Sequence, residues 1–371
     1  MPQARQAMGT VTQEGNGWGA SPIQREDLVT YGDMVDMAYM TFAAEDEAYE
    51  STLSSLLAGI DDCRYVATAH LFATIEPVPK LLEALPVLRG LDKPYWFGYV
   101  AVARRGDCLD IVVAWRGSAT LADWMMDIHA DLVPFVDGAK GGVAGKVAEG
   151  FYKVYTCMDS MTERGKVSAK EQVVTEVARL VGHFRRGDSG GERQSVRVTV
   201  AGHSLGGALA LMSAHDAAAA LAAAGHADVP VRAVTFGAPR VGDQAFRGAL
   251  RARGVDVVRV VVKQDVVPRL WMGPRYVDVG DHVVVLDEDK SPRKLTGHSL
   301  DLYLHLMTLR DTATYKFNVH QPTTQAPAPG DGAADAGQKE KKPRWKKMVE
   351  GDGYMRLPPA ELDEELGNSQ K

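Results

Sequence analysis

Val196-Arg197-Val198-Thr199-Val200-Ala201-Gly202-His203-Ser204-Leu205-Gly206-Gly207-Ala208-Leu209-Ala210 is the stretch that decides the architecture. Its first half is rich in β-branched residues and predicts a strand over Val196 to Ala201. The glycines around Ser204 then predict a tight turn. The Ala- and Leu-rich run from Leu205 to about Ala224, closed by Gly225, predicts a helix. Gly-x-Ser-x-Gly between a strand and a helix places its serine on a strained turn at the carboxyl end of a sheet. The glycines keep side chains out of the way, and the helix N-terminus favours negative charge there. Ser204 is therefore the candidate nucleophile. His203, its neighbour on the turn, points away from it and is read as support for the turn.

Working outward, the same alternation of strand and helix continues. Val231 to Phe236, Val255 to Val262 and Val283 to Leu286 predict strands, and Asp243 to Arg253 a helix. Upstream, Trp96 to Ala103 and Leu109 to Trp115 predict two strands joined by the turn Arg105-Gly106-Asp107. Apolar residues at helical spacing predict helices from Arg25 to about Ala44 (Leu28, Tyr31, Met34, Val35, Ala38, Tyr39, Phe42) and from the N-cap candidate Ser168 (Val173, Val177, Leu180, Val181). Strands alternating with helices imply a mostly parallel sheet covered on both faces, the α/β-hydrolase architecture.

A serine nucleophile needs a histidine base, and the base needs a carboxylate to fix its tautomer. In this architecture the acid and then the base follow the serine along the chain. Asp265 lies just past the strand Val257 to Val262, at its carboxyl end, and is the candidate acid. His282, His298, His305 and His320 follow it. His298 is preferred, because it ends the polar loop Asp287 to Gly297, and a loop-borne histidine can reach the sheet's edge. For the oxyanion, the candidate donors are the N–H of Leu205 and the turn residue Ser118, after the strand Ile111 to Ala114.

Composition sets limits on the rest. The chain has 371 residues, 45% hydrophobic and 24% charged, enough for a self-sufficient core. The formal charge of −6 argues against nucleic acid as a partner. Cys63, Cys108 and Cys157 show no metal-ligand spacing and are expected as reduced thiols. No Gly-x-Gly-x-x-Gly, P-loop or His-Glu-x-x-His occurs, so neither cofactor nor metal is expected. No run of 18 apolar residues predicts a membrane span. The N-terminal residues lack a secretory stretch, so the cytosol is the expected location.

The chain resembles the class 3 lipases, most closely the plant phospholipase A1 group. The resemblance is carried by Tyr95 to Val102, Asp110 to Gly117, Val200 to Ala210, Thr235-Phe236-Gly237-Ala238-Pro239-Arg240-Val241-Gly242 and His298 to His305. It implies a triad of Ser204, Asp265 and His298, with Ser118 at the second oxyanion position. It also implies cleavage of fatty-acyl esters of glycerolipids, foremost at the sn-1 position of phospholipids. Neutral glycerides and galactolipids are alternative substrates. A lipase-like regulatory protein is the rival from another class, disfavoured because all three triad positions are filled. The group usually has histidine where Ala148 precedes Glu149-Gly150-Phe151.

The expected organisation is a loose lead-in over 1–21, a hydrolase domain over 22–320, a Pro-, Ala- and Gly-rich linker over 321–342, and a C-terminal segment over 343–371 partly docked on the domain. Contact with a membrane or micelle surface is expected to be peripheral. Trp124, Met125 and Met126, after the oxyanion turn, are lid candidates. Trp271 and Met272 are candidates for the rim of the acyl groove. The basic run Lys339 to Lys347, with Trp345, is a further candidate for contact with anionic lipid.

Overall fold

The computed structural model describes residues 23–43, 49–58, 60, 65–74, 94–118, 131–138, 141–158, 163–186, 195–270, 272–280, 282–287, 297–308, 349–351 and 354–367. The first half contains α1 (Arg25–Phe42), α2 (Tyr49–Leu57), β1 (Val66–Thr74), β2 (Pro94–Arg105), β3 (Cys108–Trp115), β4 (Leu132–Val136), β5 (Val143–Ala148), α3 (Glu149–Thr156) and α4 (Ala169–Arg186). The second half contains β6 (Ser195–His203), α5 (Leu205–Ala223), β7 (Val231–Phe236), α6 (Gln244–Ala252), β8 (Asp256–Val262), β9 (His282–Leu286) and α7 (Leu300–Thr308). The last elements are β10 (Val349–Gly351), β11 (Tyr354–Arg356) and α8 (Pro359–Gly367).

Among the described residues, one sheet of nine strands runs in the order β10-β11-β1-β2-β3-β6-β7-β8-β9. From β3 to β9 every neighbour is parallel. From β10 to β3 every neighbour is antiparallel. The parallel run follows from the strand–helix alternation, since a parallel neighbour needs a crossover and the helices supply it. β4 and β5 form a separate antiparallel pair. This is the α/β-hydrolase fold, with its parallel strands leading to the nucleophile turn.

Side chains on β3 show how the two faces divide, because successive residues of a strand point to opposite sides. Asp110 accepts from Tyr31 of α1 at 3.2 Å, on one face. Trp115 donates its indole N–H to Ser213 of α5 at 3.1 Å, on the other. α5 carries buried residues all round and is long and apolar enough to cross a membrane, yet it lies in the core between the sheet and α4. A helix apolar on every side is what such a central place requires. Two helix starts are closed as their sequences predict. Ser168 and Glu171 exchange bonds ahead of α4. Asp243 accepts from the N–H of Phe246 at 2.9 Å to cap α6.

The far end of the chain returns to the opposite edge of the sheet. β11 pairs with β1 at Ala69 and Arg356, and the N–H of Leu357 donates to the carbonyl of Thr68 at 2.7 Å. Leu357, Leu362 and Leu366 are buried in the core, and His183 of α4 meets Asp363 of α8 at 2.8 Å. The lead-in over 1–21, the linker over 321–342 and the basic run Lys339 to Lys347 lie outside the described residues.

Candidate active site

Ser204 has φ 56° and ψ −122°, and it is the described non-glycine residue with positive φ. A side chain in this region costs of order 1–3 kcal/mol, and the surroundings hold it there. The Ser204 N–H donates to the carbonyl of Phe236 at 3.0 Å. A methyl group on Gly202 would lie 2.1 Å from the carbonyl oxygen of Gly206, and one on Gly206 would lie 2.4 Å from that of Trp115. The flanking glycines thus answer a close approach of backbone to backbone. Leu205 opens α5, so its N–H is among the first-turn donors for which the helix supplies no carbonyl.

Asp265 lies past the end of β8 and is buried, with three donors on its carboxylate. The Val267 N–H reaches Oδ1 at 2.9 Å. The Tyr303 hydroxyl reaches Oδ2 at 2.5 Å, and His298 Nδ1 reaches the same oxygen at 2.7 Å. A carboxylate can only accept, so His298 carries its proton on Nδ1 and leaves the lone pair on Nε2. That Nε2 is buried and makes no hydrogen bond to the described residues. Asp265, Tyr303 and His298 surround Gly237, the residue after the Phe236 that receives the Ser204 N–H. The alternatives are separated from this cluster. His282 pairs with Val258 near the start of β8, at the other end of the strand from Asp265, and lies 3.6 Å from Asp256. His305 lies within α7, two turns beyond His298.

His203 supports the turn, as its position predicts, and the structure shows how. Its Nε2 lies 3.0 Å from the backbone carbonyl of His298, and its Nδ1 lies 2.8 Å from the hydroxyl of Tyr39. Burial, and then the nearby His298, push its pKa down to about 3, so the ring is neutral. Three further residues escape a reading by motif. Tyr303 donates to Asp265 from the first turns of α7. Tyr39, in α1, accepts the Gly117 N–H at 2.8 Å. Arg116 is buried between the rings of Phe42 and Phe97, 3.5 and 4.4 Å from their centres, and donates to the Gly117 carbonyl at 2.7 Å. A signal for Tyr303 was available, since a hydroxyl in the first turns after a candidate base can face the same acid. Tyr39 carries no local signal, because its partners come from elsewhere in the chain, as do the rings that hold Arg116.

Ser118 follows Gly117 and is half-buried. Gly117 stands against Ser204, since a methyl group there would lie 3.0 Å from the Ser204 Cβ. No described peptide is cis, so the Gly117 carbonyl and the Ser118 N–H point in opposite directions across one plane. By holding that carbonyl, Arg116 fixes the direction of the Ser118 N–H. Met272 is half-buried and lines a hollow of about 320 Å³ with Asp131, Gly273, Pro274, Arg275 and Tyr276. These walls are mixed in polarity, unlike those of a simple acyl groove. Trp124, Met125, Met126 and Trp271 lie outside the described residues.

Comparison with known proteins gives the same direction. The model of the family Lipase (class 3) matches residues 112–273. Phospholipase A1-II 6 of Oryza sativa subsp. japonica is 32% identical over 318 residues, covering 76% of this chain and 74% of that protein. The chain belongs to the class 3 lipases. Chloroplastic phospholipase A1-Igamma1 of Arabidopsis thaliana is 34% identical over 336 residues, and the alignment spans 77% of this chain and 63% of that relative. Among solved structures, lipase II from Rhizopus niveus aligns with a TM-score of 0.44 at 20% identity, over 74% of this chain and 83% of its own.

Proposed function

We propose that this class 3 lipase is a phospholipase A1, cleaving the sn-1 fatty-acyl ester of phospholipids at a membrane or micelle surface through an acyl-enzyme on Ser204. The observation that carries the catalytic part is the His298–Asp265 pair at 2.7 Å, with a buried Nε2 lone pair, beside a serine on the strand–helix turn. The substrate is suggested by the relatives named phospholipase A1.

In this reading His298 Nε2 takes the proton of Ser204 while the serine oxygen attacks the ester carbonyl carbon. The N–H of Leu205 and Ser118 hold the oxyanion of the tetrahedral intermediate. Asp265 stabilises the imidazolium and keeps its proton on Nδ1. The carbon–oxygen bond to the lysolipid then breaks, and the departing oxygen takes the proton from His298. Water attacks the acyl-enzyme, with His298 again as base, and the fatty acid leaves.

The test uses phosphatidylcholine with different chains at sn-1 and sn-2, with triacylglycerol and galactolipid alongside. Release of the sn-1 acid, labelling of Ser204 by a fluorophosphonate, and loss of both in folded Ser204→Ala are the expected results. Faster cleavage of triacylglycerol or galactolipid would replace the substrate. Turnover by Ser204→Ala would remove the mechanism. The cytosolic location is part of the proposal and is checked by imaging a fluorescent fusion, with a plastid marker as the competing outcome.

A further inference from the structure

The geometry points to Tyr39 and His203 as positioning residues, joined in a relay that registers the oxyanion turn against the backbone of the catalytic base. The inference rests on the roles given above to Ser204, Ser118 and His298. It adds two residues that touch no reacting atom.

The direction of each bond in the relay follows from its partners. A backbone carbonyl only accepts, so the bond of 3.0 Å from His203 to the His298 carbonyl places a proton on Nε2. The ring is neutral, so Nδ1 holds a lone pair and accepts from the Tyr39 hydroxyl at 2.8 Å. The oxygen of that hydroxyl in turn accepts the Gly117 N–H at 2.8 Å. One chain of hydrogen bonds therefore runs Gly117, Tyr39, His203, His298. Burial pushes the Tyr39 phenol up, which keeps its proton in place for donation. The His203 ring also lies over that of His298, with centres 4.8 Å apart, so it fixes the base by contact as well.

This arrangement solves a particular problem of the fold. The oxyanion turn follows β3, whereas the base comes from the loop before α7, and no covalent path near the site connects them. Both must be placed against the same tetrahedral carbon, and an error of about 1 Å can cost on the order of 10²-fold in rate. α1 crosses the sheet face between them and supplies the Tyr39 hydroxyl. A methyl group on Gly117 would lie 2.3 Å from that oxygen, so the contact leaves no room for play.

The relay is tested on a soluble short-chain ester with Tyr39→Phe, His203→Leu, His203→Gln and the double Tyr39→Phe/His203→Leu variant. Folding is checked by circular dichroism and melting. For Tyr39→Phe and His203→Leu, kcat should fall about 10- to 100-fold with KM nearly unchanged. Affinity for a trifluoromethyl ketone, which forms the tetrahedral adduct, should fall by the same factor as kcat/KM. The double variant should lose no more than the worse single one, since both break one chain. His203→Gln keeps an amide that can donate to the His298 carbonyl, and it should recover about 5-fold or more over His203→Leu. Unchanged kcat in Tyr39→Phe, a loss confined to KM, additive losses, or an unchanged ketone affinity would each overturn the relay. Should Tyr39→Phe not fold, the two His203 variants decide. Ser204→Ala run in parallel keeps the readings apart: activity there defeats the site assignment, whereas an inactive Ser204→Ala beside a fully active Tyr39→Phe defeats the relay alone.

Discussion

Tyr303 fixes Asp265 from the side opposite the peptide of Val267, at the short distance of 2.5 Å. Burial, and then the neighbouring Asp265, push its phenol far above the ordinary range, so it acts as a proton donor throughout. A hydrogen bond to a charged group is worth ~1.5–3 kcal/mol, and part of that holds the carboxylate where His298 needs it. Tyr303→Phe should therefore lower kcat/KM by about 10-fold, measured on a soluble ester, while Ser204 still labels. His203 supplies a stability prediction. Its pKa of about 3 in the folded protein lies below the ordinary 6.5. The unfolded chain thus binds a proton that the folded one refuses, and stability falls as pH drops from about 6.5 towards 3. The slope from this one group is about 1.4 kcal/mol per pH unit. The groups facing it are Tyr39, His298 and Tyr303. Urea melts at pH 7, 6 and 5 should show a shallower dependence for His203→Gln than for the parent, and equal slopes would mean that His203 is protonated when folded. At this scale the sequence pointed to Ser204, Asp265 and His298 as candidates because each sits at the end of a predictable element. It was silent on Tyr39, which fell on the apolar face of a helix and counted only as core.

Elements were legible where strand and helix alternate along the chain, and less so elsewhere. β6 to α6 could be marked out because strand and helix alternate there, and Asp243 caps the start of α6. β1 was not marked out in the sequence, because its alternation Ala67-Thr68-Ala69-His70-Leu71 is short and built largely of small residues, although all nine residues of the strand are buried. β10 and β11, at three residues each, are strands only because they are paired, and a window of local sequence has no access to that partner. α8 holds its place through Leu362 and Leu366. Leu362→Ala removes a fully buried side chain and should cost about 2–5 kcal/mol, read as a lower urea midpoint at unchanged slope. If α8 were loosely attached, the midpoint would not move.

The parallel strands carry Ser204 and Asp265 at their carboxyl ends. Val266, one residue past Asp265, is 64% exposed there. Half-buried Leu270 and Met272 follow it, and an exposed valine beside Asp265 suits contact with an aggregated lipid. Burying such a side chain in lipid is worth about 1.5 kcal/mol, or roughly 10-fold in binding to the surface. Val266→Ser should therefore slow hydrolysis of micelles by up to about 10-fold and leave a soluble ester untouched. Equal loss on both would assign Val266 to the support of Asp265 instead.

Pairing of Ala69 with Arg356 also sets a timetable. The two residues stand roughly 290 positions apart, so closing that loop carries a high entropic cost and comes late in folding. On the ribosome β1 is made well before the strand that covers its outer edge, which emerges roughly 290 residues later. Through that interval the chain presents a long, apolar, open edge, the feature that invites aggregation between nascent chains. The yield of native protein in a cell thus depends on how well that edge is shielded until β11 has been made.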